Sequence, residues 1–118
     1  MQKVAFLLVS NGKVILINPY DKKFSLPKVD THSFNKDGEL VETDEDAVKE
    51  LCKKYSLYLK DTKRTHIGSG DFSCIRIEAR EIKIMEPSCA GWFFPTDVLS
   101  SDKIISKREK GILSSLVN

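Results

Sequence analysis

The chain has little cysteine, and what it has is poorly spaced for pairing. Cys52, Cys74 and Cys89 are odd in number and far apart, with no Cys-x-x-Cys element. That argues against a disulfide framework and offers no basis for a zinc site, so reduced thiols in a cytoplasmic protein are expected. His32 and His66 have no ligand spacing to each other. Long apolar runs are also missing. The longest, Val4 to Val9, is too short for a secretory signal core and far too short to span a bilayer, so no membrane partner is expected. Charge of one sign is absent as well: Lys+Arg number 19 and Asp+Glu 17, a net charge of +2. Such a balance provides no overall attraction to nucleic acid or to anionic lipid. There is no glycine-rich phosphate loop and no Gly-x-Ser-x-Gly element, which removes two familiar routes to nucleotide and acyl chemistry.

What is present suits one folded domain spanning all 118 residues. Val4 to Ser10 and Val14 to Ile17 are β-rich runs on either side of Asn11-Gly12. Asn and Gly both tolerate positive φ, so the pair predicts a hairpin. Phe24 to Pro27 reads as a short strand stopped by proline. Thr31 to Val41 contains the turn Asn35-Lys36-Asp37-Gly38 and reads either as a small hairpin or as an irregular loop. Thr65 to Gly68 and Phe72 to Ala79 read as strands. Ile82 and Ile84 fall out of phase with Ile75 and Ile77, which predicts a bulge or turn near Arg80. Trp92 to Pro95 reads as a strand end and Thr96 to Leu99 as a helical turn. Ile105, Ile112, Leu113, Leu116 and Val117 mark a C-terminal helix that Gly111 weakens. Strands and helices mix without regular alternation, predicting an α/β (α+β) fold built on a mixed sheet.

The best-signed helix lies at 43–56. Thr43 is an N-cap, with Asp46 three residues on in the place of a capping-box acid. Asp44, Glu45 and Asp46 favour the N-terminus, and Lys53 and Lys54 the C-terminus. Ala47, Val48, Leu51, Cys52 and Tyr55 form one apolar stripe. On the remaining surface, Glu50, Lys53 and Lys54 share a face, and Glu50–Lys54 has the spacing and order of a favourable ion pair.

These residues resemble a Nudix box, whose helix ends Arg-Glu-apolar-x-Glu-Glu-x-Gly-apolar. Lys49 stands at the Arg position, Glu50 at the first Glu, Leu51 at the apolar place, and Leu57 at the last. Lys53 and Lys54 occupy the places of the paired Glu residues, and Ser56 that of Gly. The resemblance extends to the hairpin at 4–17, to Phe24-Ser25-Leu26-Pro27, and to Gly91-Trp92-Phe93-Phe94-Pro95 with Leu99. It departs where Lys28-Val29 replace Gly-Gly and where the following loop, at 28–42, is long. Counting back from Lys49 puts Val41 at the earlier Glu of the pattern. Glu42 takes that place only with a one-residue deletion before the helix.

The resemblance implies a mixed sheet sandwiched between helices and, for the family, Mg²⁺- or Mn²⁺-dependent hydrolysis of nucleoside diphosphates linked to another group. Glu50 and Glu42 are then the candidate catalytic and metal residues. Lys49, Lys53 and Lys54 are candidate phosphate contacts, and Phe24, Trp92 and Phe94 candidate stacking partners for a base. Carboxylates at 50, 53 and 54 would converge on a hard cation; one carboxylate beside two ammonium groups repels it. Three functions stay open: a module binding a nucleotide or other phosphorylated small molecule with weak or no hydrolysis, an active divergent pyrophosphohydrolase using Mg²⁺ or Mn²⁺, and a protein-interaction domain. In the first and third no cofactor is required. A homodimer is open, with the C-terminal helix as its candidate surface.

Overall fold

The computed structural model describes residues 2–17, 24–67, 73–86, 90–100 and 107–114. Its centre is strand β1 (Gln2–Ser10), joined to β2 (Lys13–Ile17) by a turn in which Asn11 and Gly12 have φ of 53° and 76°. Both turn residues are thus left-handed, which matches the twist of the flanking strands and sets the register Val9↔Val14. The Asn-Gly hairpin expected from the sequence is the one observed.

The sheet runs in the order Leu57–His66 (β6), Ser73–Ile84 (β7), β1, β2, Ala90–Phe93 (β8), with Lys28–Thr31 (β3) also on β1. β1 pairs parallel with β7 and antiparallel with β2, so the sheet is mixed. Helices cover both faces. Helix α1 (Asp44–Tyr55) lies on one; α2 (Pro95–Leu99) and α3 (Lys107–Ser114) lie on the other. Alternation along β1 divides its side chains between the two cores. Phe6 and Leu8 join Ile15, Leu51, Ile75 and Ile77 under α1, whereas Ala5 and Leu7 join Leu16, Leu26, Val98 and Leu113 under α2 and α3. A strand buried on both faces has no polar side, which is why Val4 to Val9 reads as a continuous apolar run.

Three elements differ from the sequence expectation. Phe24–Pro27 makes only one bridge, with Ser25 and Ile17 exchanging both backbone hydrogen bonds at 2.8 Å. The strand begins after the proline: β3 is Lys28–Thr31 and pairs antiparallel with Gln2–Ala5 of β1. Pro27 has no N–H, but its carbonyl accepts from the Phe6 N–H at 2.8 Å, so it can lead a strand onto that edge. β6 starts at Leu57, immediately after the helix, well before the expected Thr65. It is an edge strand with Lys60 to His66 exposed, and so lacks the apolar alternation that would announce it. Gly68 and Phe72, at the expected strand ends, lie outside the described residues.

β7 runs through Arg80 as one strand with no extra residue, and its pairing with β6, from Leu57↔Ile84 to His66↔Ile75, is interrupted only at Asp61 and Arg80. The irregularity behind the phase change sits on the partner strand, where Asp61 has φ of 54°. In α3, Gly111 is accommodated and Leu113 is fully buried. Ile105, Leu116 and Val117 lie outside the described residues, as does the Ile112 side chain.

Candidate functional site

The site is built on α1 and on the segment before it. Thr43 caps the helix: its hydroxyl accepts from the Asp46 N–H at 3.2 Å, and Asp46 Oδ2 accepts from the N–H groups of Thr43 (3.2 Å) and Glu42 (3.3 Å). These backbone donors hold the Asp46 carboxyl below its usual range. Ala47 and Leu51 are buried, with Val48, Cys52 and Tyr55 packed partly against the same core. The helix ends at Ser56, whose φ of 53° is the left-handed conformation glycine adopts without strain. The resemblance places a glycine there, and the backbone retains the geometry it would supply.

The loop at 28–42 is ordered as β3 and then a small hairpin, β4 (Ser33–Phe34) with β5 (Leu40–Val41). Asn35 organises its turn by accepting at Oδ1 from the N–H groups of Asp37 and Glu39, both at 2.9 Å. The hairpin is drawn onto α1 by three side-chain contacts. Asn35 Nδ2 donates to Glu50 Oε2 at 3.0 Å, and Lys53 Nζ donates to Asp37 Oδ2 at 3.0 Å and Glu39 Oε1 at 3.1 Å. Lys53 is held well above the usual lysine range by the two carboxylates, and Glu39 below the usual glutamate range, chiefly by Lys53.

Glu50 and Lys54 do not form the expected ion pair. Lys54 Nζ turns to the Lys28 carbonyl at 3.1 Å, which also accepts from the Tyr55 hydroxyl at 3.2 Å. The backbone of β3 offers Lys54 a fixed acceptor, while the Asn35 amide already satisfies Glu50.

Glu39 links the hairpin to pH. Its folded-state value is lowered below 4.5, so its contribution is present above that value and is lost as pH falls through the lowered range. Contacts between the hairpin and α1, read as NOEs from Asp37 and Glu39 to Lys53, are expected to weaken on that acid limb. They should persist through neutral pH and be missing at every pH in Lys53→Met. Contacts unchanged in that variant would remove Lys53 from this role.

Of the remaining candidates, Glu42 is exposed beside the cap, and Lys49 is exposed on α1. The aromatic candidates do not converge. Trp92 and Phe93 are neighbours on β8 and face opposite sides of the sheet. Trp92 packs toward the α1 core, whereas Phe93 meets Phe24 edge-on in the other core, with centroids 4.7 Å apart. Phe94 is half exposed, with Lys13 Nζ 5.0 Å from its ring centroid.

Sequence reasoning missed Glu109. It lies on α3, is 4% exposed, and accepts from the Leu26 N–H at 3.0 Å and from Lys28 Nζ at 2.7 Å. Lys28, at the first Gly of the Gly-Gly pair, therefore joins both helix layers: its carbonyl holds the end of α1 and its ammonium holds α3. Cys74, in the same core, has its thiol pushed up to about 11, first by burial and then by the nearby Glu109 charge. Burial also raises Cys52. Neither thiol has the depressed value of an activated nucleophile.

The hairpin separates two open clefts. The first, about 560 Å³, lies between α1, β6 and β5; the second, about 520 Å³, lies between the hairpin, the end of β3 and Lys54. Asn35, Val41, Glu50 and Lys53 border both. A divalent cation on α1 would need converging oxygen ligands. Here one Glu50 oxygen receives an amide, and the helix position three residues later is an ammonium already neutralised by Asp37 and Glu39. Among the described residues, no group of three or more His, Cys, Asp and Glu side chains is placed to hold a metal ion. The residues present do not fit the family's metal.

A mixed sheet between helices, with a capped helix following the β1–β2–β3 unit, is the architecture of the Nudix hydrolases. The chain matches MutT of Bacillus halodurans at 15% identity, covering 99% of this chain and 82% of that one, with a TM-score of 0.65. It matches a MutT Nudix hydrolase from Burkholderia pseudomallei at 16% identity over 95% and 94% of the two chains, TM-score 0.59. It matches a pyrophosphohydrolase from Bacillus subtilis at 14% identity over 98% and 78%, TM-score 0.61. No protein-family model and no curated protein matches the sequence. The likeness establishes that the chain has the Nudix fold. Among the described residues, no helix is long and apolar enough to cross a membrane.

Proposed function

We propose that this chain is a Nudix-fold protein that binds a nucleotide or another phosphorylated small molecule, with hydrolysis weak or lost. The observation that carries the reading is Lys53, whose ammonium sits 3.0 and 3.1 Å from the carboxylates of Asp37 and Glu39 on the helix face where the box would carry metal-binding glutamates. An internal cation there closes the hairpin without a metal. It also removes the group that would polarise a phosphate and activate water. Binding needs neither, and two clefts of several hundred cubic ångström flank the helix. Fold alone does not specify chemistry, so the reading rests on these side chains.

A second reading keeps the hydrolase. Glu50 borders both clefts and retains a carboxylate, the feature of α1 on which an active divergent enzyme would draw.

Thermal shift against a panel of nucleoside mono-, di- and triphosphates, with and without EDTA, separates the two. On the binding reading at least one ligand stabilises the chain equally in EDTA, by about 2.7 kcal/mol when present at a hundredfold excess over Kd. Stabilisation that EDTA abolishes supports the hydrolase. No stabilisation by any member of the panel contradicts nucleotide binding.

A further inference from the structure

Strand β6 ends the sheet. It pairs with β7 on one side, and no described strand lies beyond it on the other. The direction of its backbone groups follows from one bond. The Ile67 N–H donates to the Cys74 carbonyl at 3.0 Å, which turns residue 67 toward β7. Antiparallel alternation turns Lys63 and Thr65 toward β7 as well. The N–H and C=O groups of Thr62, Arg64 and His66 therefore face the open edge, and among the described residues no group is bonded to them there. Upstream, Asp61 at φ of 54° interrupts the ladder, so the regular template is confined to residues 62–66.

The side chains along this edge fall into two sets. Thr62 and Arg64 lie on the α1 side and border the first cleft, whose floor is Val48 and Cys52 of α1 and Leu59 of β6. Lys63 takes the opposite side of the sheet. Lys60 does the same, because its neighbour Leu59 packs into the α1 core. Across the ladder, Lys63 stands against Glu78 and Lys60 against Glu81. Both carboxylates are already engaged on their own strand, Glu78 by Arg76 and Glu81 by Lys83. Neither Lys60 nor Lys63 forms a hydrogen bond or ion pair among the described residues. By contrast, Arg64 and His66 on the α1 side are held by Glu45 and Asp44. The edge thus combines unpaired backbone groups with an uncompensated positive charge on one side and an apolar cleft on the other.

We propose that this edge binds an extended acidic segment of a partner protein, added antiparallel to β6 as a further strand. Backbone hydrogen bonds to Thr62, Arg64 and His66 hold the segment, and its alternating side chains select it. Acidic side chains lie beside Lys63; the apolar ones between them lie beside Thr62, at the lip of the cleft. Charge also decides against a second copy of this chain. Residues 62–66 carry Lys63, Arg64 and His66 and no acid, so two such edges would set like charges against each other.

The probe is a capped peptide alternating Glu and Val, titrated into the full chain at neutral pH and followed by amide NMR and amide exchange. Exchange at Thr62, Arg64 and His66 is expected to slow, because strand addition covers those N–H groups. Lys63 and Thr65, whose N–H groups already face β7, should change little. N-methylation of the Val residues removes the peptide donors that face β6 and should abolish binding. N-methylation of the Glu residues should spare it. Lys63→Glu turns an attraction into a like-charge repulsion and should weaken binding about tenfold, with the free protein's spectrum still that of the folded chain. A peptide alternating Lys and Val should bind weaker by a similar factor. No protection at millimolar peptide, binding that survives methylation of the Val residues, or unchanged affinity in Lys63→Glu would overturn the assignment. Protection of the same amides that grows with protein concentration in the absence of peptide would place a second copy at this edge and overturn it as well.

Discussion

Glu109→Ala is expected to destabilise the fold by about 1–3 kcal/mol, the cost of leaving a buried backbone donor without its partner. The carboxylate is 6% exposed and meets the Lys28 ammonium at 2.7 Å. It also accepts the Leu26 N–H at 3.0 Å, in a segment that makes one isolated bridge and so depends on side-chain partners. Removing it strands a buried backbone donor as well as a partly buried charge. At roughly 4 °C per kcal/mol for a domain of this size, Tm should fall by about 4–12 °C. Glu109→Gln keeps an acceptor for Leu26 and should lose less. Lys28 is 31% exposed on its side chain and can turn to water when Glu109 is removed, whereas Lys28→Met leaves the buried carboxylate without its cation and should cost at least as much as Glu109→Ala. Thermal unfolding of the three variants checks the order. A Glu109→Ala protein within about 0.5 kcal/mol of the parent, the range of ordinary surface substitutions, would show that the pair does not hold α3 to the sheet.

Leu51→Ala should cost about 2–5 kcal/mol, because its side chain is fully buried between α1 and the sheet. Leu51 contacts the core containing Phe6, Ile15, Ile75 and Ile77, strand residues that, among the described residues, have no other helix to fill the gap. Relaxation there requires α1 to shift, and α1 carries Glu50 and Lys53. The variant should therefore lose hairpin contacts along with global stability, seen as early amide exchange at 35–41. Lys49→Ala, two residues away and exposed, should leave stability within about 0.5 kcal/mol. Equal effects of the two substitutions would mean that α1 is not anchored by its inner face. Urea unfolding of both proteins makes the comparison.

The parts legible in the sequence are those set by neighbours along the chain. Asn11-Gly12 announces its turn, Thr43 and Asp46 their cap, and the stripe from Ala47 to Tyr55 its buried face. β3 escaped notice because it follows Pro27 and owes its place to the opposite end of β1. Most of β6 escaped because an exposed edge strand rich in Lys, Arg and Thr carries no alternation. The irregular alternative for residues 31–41 is excluded by Ser33↔Val41 pairing.

At the site, the sequence placed Glu50, Lys53 and Lys54 on one helix face, and α1 keeps them there. Their partners come from elsewhere: Asp37 is 16 residues from Lys53, and Glu109 is 81 from Lys28. No local pattern reports either distance. Glu109 sits in a Lys-Arg-Glu-Lys run that reads as a solvated helix face, and only α3 docking on Leu26 makes it a buried acceptor.

The proposed function requires an ammonium, that of Lys53, to stand on α1 where a metal would otherwise be held. Calorimetric titration of the chain with Mn²⁺, repeated on Glu50→Gln, tests it most directly. Affinity in the millimolar range or weaker, unchanged by the substitution, is the predicted result. Micromolar affinity lost with Glu50 would contradict it, and would mean that carboxylates outside the box have rebuilt a hydrolytic metal centre.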